Sequence, residues 1–208
     1  MILCMSEKKQ TGIVPAHKTG IPIDVQSLIE LGDEKQAKIF FDVVRTRLKN
    51  VNSWHTIAGG LSAKFQLVNK DGIDVERSPQ KGDYFKIDIP GPGTISGEGY
   101  DWVQVEKVEG TLTSDRESFG FRVRPAQNPH DNKDIAHFFS RESTSSFTVT
   151  REKNKVIAAI YDRNTKPNKK ASPIVDKVRD LIVATAGILA FSKIQWKKLT
   201  DGLLEKDK

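Results

Sequence analysis

Residues 172–204 read SPIVDKVRDLIVATAGILAFSKIQWKKLTDGLL. Ser172 and Pro173 supply a helix cap and a first-turn proline, and a long helix is expected from there to Leu204. Val175, Val178, Leu181 and Ile182 share one side of its first turns. Its middle, the run 181–191 that opens on Leu181 and closes on Phe191, is apolar nearly all round, and its end narrows to Ile194, Trp196, Leu199 and Leu203. A helix that is apolar on every side has to be covered on every side. In a chain that lives in water, that means a sheet on one side and a second helix or a second subunit on the other.

The residues ahead of this helix supply the sheet. Stretches 146–150 and 156–161 are β-rich and joined by a short polar break, as in a hairpin. In 119–123, Phe119, Phe121 and Val123 alternate with Gly120, Arg122 and Arg124. Residues 100–108 form its partner. In 83–89, Phe85, Ile87 and Ile89 alternate with Lys86 and Asp88, and in 61–68 Leu61, Ala63, Phe65 and Leu67 share one face. Residues 136–139 read as a short extra strand. Turn signals at 69–72 and 90–93 separate these runs. Further upstream, Asp33 with Gln36 three residues on forms a capping box. Ala37, Phe40, Phe41, Val44, Leu48 and Val51 then recur at helical spacing over about four turns. Ahead of that helix, 12–14 or 21–25 is expected to add an edge strand. Residues 1–11 read as a disordered tip and 12–205 as one domain.

One helix, six or seven antiparallel strands and a long C-terminal helix packed on the curved sheet make an α+β layer fold. This order is similar to the helix-grip arrangement of START-like and polyketide-cyclase-like proteins. The resemblance implies that the C-terminal helix closes over the sheet and leaves an apolar cavity. The phrases GDYFKIDIPGPG (82–93), GYDWV (99–103), AHFF (136–139), RNTKPN (163–168) and FSKIQW (191–196) together resemble an uncharacterised bacterial family, to which no activity attaches.

Composition bounds the function. Of 208 residues, 33 are Lys or Arg and 27 Asp or Glu, for a net charge of +6. The excess sits in residues 151–208, which hold 14 basic and 7 acidic side chains, whereas 51–110 hold 6 and 9. No aromatic side chains interleave with basic ones on a strand as a stacking RNA surface needs, so the basic balance reads as solubility around a hydrophobic helix, or as one partner-facing end. A nucleic-acid partner is not expected. A lone cysteine, Cys4, excludes an internal disulfide framework and a cysteine-based zinc cage. The run 181–191 is shorter than the ~20 residues that span a bilayer, so no transmembrane segment is expected, and the location expected is the cytoplasm.

No spacing assigns a catalytic residue, a metal ligand or a cofactor. His17, His55, His130 and His137 include no pair at helical metal-binding spacing. His130, Asp131, Asp134 and His137 could gather in one loop, or be ordinary loop residues. The glycines of 91–99 lack both nucleotide-binding patterns and read as a hairpin connection or a flap at a cavity mouth. Arg122 and Arg124 share a strand face, either holding an anion or pairing with Asp88 or Glu106. Trp54 and His55, after the first helix, either line a pocket or plug a core. The expected function is non-catalytic binding of an apolar small molecule or lipid between sheet and C-terminal helix. The residues expected to line it are Trp54, His55, Phe85, Tyr100, Trp102, Phe121, Arg122, His137 and Phe191. The alternative is an interaction or assembly component, a homodimer or protein complex formed through 181–191 and the basic tail. An enzyme built on His130 or His137 with Asp131 or Asp134 is a third reading.

Overall fold

The computed structural model describes residues 12–60, 63–89, 97–131, 134–168 and 178–206, the side chains of 178–186 excepted. Seven strands form one antiparallel sheet: β1 (Ile23–Glu30), β2 (Lys64–Val68), β3 (Tyr84–Asp88), β4 (Asp101–Leu112), β5 (Arg116–Pro125), β6 (Thr144–Glu152) and β7 (Lys155–Arg163). Their order across the sheet is β1-β7-β6-β5-β4-β3-β2. Helices α1 (Glu34–Lys49) and α2 (Trp54–Ile57) follow β1, with a single 3-10 turn between them, and α3 (Val178–Leu203) follows β7.

The inner face carries Ile23 and Val25 of β1, Phe65 and Leu67 of β2, Phe85 and Ile87 of β3, and Val103 and Val105 of β4. Phe121, Phe147 and Ile160 complete it, and all join one buried cluster with α1 and α3. Period-two alternation makes this face apolar, and the helices cover it. The Asp33 side chain caps α1, its Oδ1 accepting from Gln36 N at 2.7 Å, as the sequence pattern predicts. Glu106 is an extra residue in β4, where the register slips between Val105 and Lys107. A bulge of this kind bends and twists its strand.

Three expectations change. Strand β1 runs on to Glu30 instead of stopping at residue 25, because its inward polar residue, Ser27, is satisfied by α3: its hydroxyl donates to Thr200 Oγ1 at 2.8 Å. Residues 136–139 form no strand. Their ladder is reduced to one bridge, Phe139 with Pro167, since the segment folds over the outer face of the sheet. The chain after Asn50 also turns back into a short second helix, α2, rather than a plain connection. The predicted helix start at Ser172 and Pro173, the glycines at 91 and 93 and the tip 1–11 lie outside the described residues.

The C-terminal half of α3 is firmly seated. Leu199 and Leu203 are buried, and Arg47 Nη1 donates to the Leu203 carbonyl at 3.0 Å, satisfying an end-of-helix acceptor. At Gly202 the helix meets the backbone of α2, so that a Cβ there would lie 2.1 Å from the Ile57 carbonyl oxygen. Gly202→Ala is therefore expected to push α3 off α2 and destabilise the fold by about 1–3 kcal/mol. A chemical denaturation midpoint equal to that of the wild type would show that this contact yields without cost.

The edge strand β2 is closed by side chains. Asn52 Oδ1 accepts from Leu67 N at 2.7 Å, its Nδ2 donates to the Val75 carbonyl at 3.0 Å, and Val75 N donates to Leu67 O at 2.9 Å. Such covering removes a ready template for unwanted strand pairing.

Candidate functional site

Beneath α2 the inner face is a close-packed aromatic cluster. Trp54, 1% exposed, lies 5.2 Å from Phe65, 5.9 Å from both Phe85 and Phe121 and 4.8 Å from Phe147, ring centre to ring centre. Its indole N–H donates to the Leu48 carbonyl at 3.2 Å. Further along the interior the cluster passes to Trp196 of α3, 5.3 Å from Phe147 and 6.3 Å from Phe65. Burial there is less complete: Phe65 keeps 6% of its surface exposed, and Ile87 and Trp196 keep 8%. On α3 beyond Trp196, Phe191, Leu189 and Ile188 are half-buried, while Ala190 and Ile194 are exposed. The described part of the apolar run is thus not covered on every side.

Asp162 brings a carboxyl into this interior. Along β7 the inward positions are Val156, Ala158, Ile160 and then Asp162. The Asp162 carboxyl is 2% exposed, and Trp196 Nε1 donates to its Oδ2 at 2.8 Å. Oδ1 is buried and accepts no hydrogen bond among the described residues. Ser145, directly across on β6, bears on the carboxyl and favours its charged form. Loss of water pushes Asp162 up to about 6, against the pull of Ser145, Trp196 and Arg163, and Asp24 adds to the rise.

The nine residues predicted from sequence do not converge on one site. Trp54, Phe85 and Phe121 meet in the aromatic cluster. Phe191 lies on α3, and His55 on α2 is half-buried with its Nε2 3.3 Å from Thr56 Oγ1. The other four stand on the outer face. Trp102 packs with Val68 and Ala136 in a separate small cluster flanked by Tyr84 and Tyr100. Arg122 and Arg124 both pair with Glu106, at 2.6 Å each, one of the two partners expected. The segment before β1 lies over this face, where the Ile13 carbonyl accepts from Arg122 Nη1 at 3.0 Å and from Ser146 Oγ at 3.2 Å.

His137 is buried on the same side, its Nδ1 accepting from Phe139 N at 2.9 Å. Burial lowers it to about 3. The ring is neutral and locked, which does not suit a general acid or base near pH 7. His130 is elsewhere, its Nε2 3.0 Å from the Gly72 carbonyl. No group of three or more His, Cys, Asp or Glu side chains suited to a metal ion occurs among the described residues.

Element order and strand order make a helix-grip-like α+β fold: β1, two helices, six further antiparallel strands and a long C-terminal helix on the inner face. Among solved structures, the chain is similar to a hypothetical protein from Helicobacter pylori at 11% identity and a TM-score of 0.45, covering 92% of this chain and 98% of that one. It is similar to norcoclaurine synthase from Thalictrum flavum at 13% identity and a TM-score of 0.36, covering 95% and 100%. It is also similar to the di-domain ARO/CYC protein BexL of the BE-7585A biosynthetic pathway, at 9% identity and a TM-score of 0.38, covering 89% of this chain and 51% of that one. No family model matches the sequence, and no curated protein matches it. Among the described residues, no helix is long and apolar enough to cross a membrane.

Proposed function

We propose that this protein binds an apolar small molecule between the inner face of the sheet and α3. The observation that carries the reading is the gradient of packing along that interior. It is sealed around Trp54, Phe85 and Phe121, at 1% exposure or less, and loosens toward Phe65, Ile87, Trp196 and the half-buried Phe191. The first three form the floor, and the second group forms the contact surface for the ligand. Apolar walls with very few polar groups are the usual make-up of a small-molecule site. Tyr100, Trp102, Arg122 and His137 hold the outer layer together and take no part in binding. The role assigned is binding without chemistry.

The test is a fluorescence titration with the neutral probe N-phenyl-1-naphthylamine. A saturable rise with a stoichiometry of one is expected, and Ile87→Trp, which fills the mouth of the interior, is expected to remove it while the protein still melts cooperatively. A rise that never saturates, or one indifferent to Ile87→Trp, would overturn the proposal.

A second reading has an observation of its own. Ile194, 59% exposed, and the exposed Ala190 lie on α3, and an apolar stripe of this kind suits a helix-to-helix contact with a protein partner or a second copy. Light scattering across a hundredfold range of concentration separates the two: a constant monomer mass rules out self-association.

A further inference from the structure

We infer that, if the interior is an apolar binding site as proposed above, the ligand it holds is a hydrophobic amine whose protonated nitrogen meets Oδ1 of Asp162. The carboxyl is enclosed between β7, β6 and α3, with Oδ2 already committed to Trp196 and Oδ1 accepting nothing among the described residues. An ionised carboxylate offers acceptors only, so its partner is a donor, and an anionic ligand is repelled. Among the described residues no cation pairs with Oδ1. Arg163, the adjacent cation, is an outward residue of β7: it pairs with Asp24 and donates to the main-chain carbonyl of Asp162 at 3.0 Å.

A buried charge without a partner is the costly arrangement, and a charge that is both paired and hydrogen-bonded is the tolerable one. An ammonium group supplies the charge and the hydrogen bond at once, whereas an alcohol supplies only the bond. The fold itself has no use for the charge, since an uncharged side chain would accept the Trp196 N–H equally well. Asp162 thus gives an otherwise apolar ligand a polar contact that orients it, with the hydrocarbon lying along Trp196, Phe65 and Ile87.

The experiment is calorimetric titration of the full chain at pH 7.5 with three probes of one shape: 2-(1-naphthyl)ethylamine, 2-(1-naphthyl)ethanol and 1-naphthylacetate. The amine is expected to bind about tenfold more tightly than the alcohol, because charge-assisted hydrogen bonds are roughly twice as strong as neutral ones. The acetate is expected to bind more weakly than either. Asp162→Asn should bring the amine down to the affinity of the alcohol and leave the alcohol within about twofold, a change too small to register as a lost interaction.

In the wild type the amine should also weaken as the pH is lowered from 7.5 to 5 while the alcohol does not. Of the charged groups bearing on the carboxyl, Arg163 of β7 favours its ionised form and Asp24 of β1 opposes it. From β6 the group met is the Ser145 hydroxyl, and from α3 it is the Trp196 indole. Equal affinities for amine and alcohol, or a ratio untouched by Asp162→Asn and by pH, would overturn the inference while leaving the apolar site standing. Failure of the wild type to bind any of the three would overturn the apolar site as well. Should Asp162→Asn fail to fold, Asp162→Ser and the wild-type pH series separate the same outcomes.

Discussion

Asp162→Asn is expected to stabilise this protein at pH 8 and to leave it nearly unchanged at pH 4. In the folded chain the carboxyl titrates near 6 instead of 3.8 because burial disfavours its charge. Between those values the folded state holds a proton that the unfolded state has released. The stability contributed by the protonated acid is complete below about pH 4 and is lost as the pH rises through 6. Two units and a little more correspond to about 3 kcal/mol, and this is the gain the variant should show on the alkaline side.

His137 works in the opposite sense. Its folded value of about 3 lies below the ordinary 6.5, so the folded state holds fewer protons than the unfolded one. Its contribution is present above pH 6.5 and falls away toward pH 3, by about 4–5 kcal/mol in all. Between pH 4 and 6 the two slopes oppose each other in the wild type, and Asp162→Asn should uncover the rising limb due to His137. Urea denaturation at unit steps from pH 4 to 8 measures the difference between the two proteins. Parallel curves would show that Asp162 is not held as an uncomfortable acid.

Trp54→Ala should be the most damaging single change in the aromatic cluster, costing about 3–5 kcal/mol. The indole touches Phe65, Phe85, Phe121 and Phe147 at once and satisfies the Leu48 carbonyl. Truncation removes those contacts and leaves the carbonyl without its donor. Trp54→Phe retains much of the ring volume and should recover more than half of the loss. A denaturation midpoint for Trp54→Ala that corresponds to less than about 1 kcal/mol would mean that the rings close over the gap.

Much of this architecture is legible in the residues. The Asp33 and Gln36 cap, the spacing of Ala37, Phe41, Val44 and Leu48, and the alternation in β3 and β5 are local patterns, and local geometry obeys them. Strand β1 is harder to read because Ser27 occupies an inward position, and its partners on α3 lie more than 170 residues away.

The candidate site is less legible for the same reason. Alternation says that Trp102 and Val103 point to opposite faces, but not which face the helices cover. The larger side chain ends up outside because Ala136 and its neighbours fold over it. Asp162 does carry a local signal, as the one carboxylate on the apolar side of Val156, Ala158 and Ile160. Its significance depends on Trp196, which only the packing of α3 brings to it.

The pairing of β1 with β7 sets the tempo at which the protein acquires its shape. Ile23 lies opposite Asp162, and Glu30 opposite Lys155, so the first strand of the sheet to leave the ribosome has its neighbour in the last. Closing so long a loop is entropically uphill until many contacts form together, and topologies rich in distant pairings fold in milliseconds to seconds rather than microseconds. During synthesis β1 therefore stays without its ladder while β2 to β6 are made, and α3 settles onto it only afterwards.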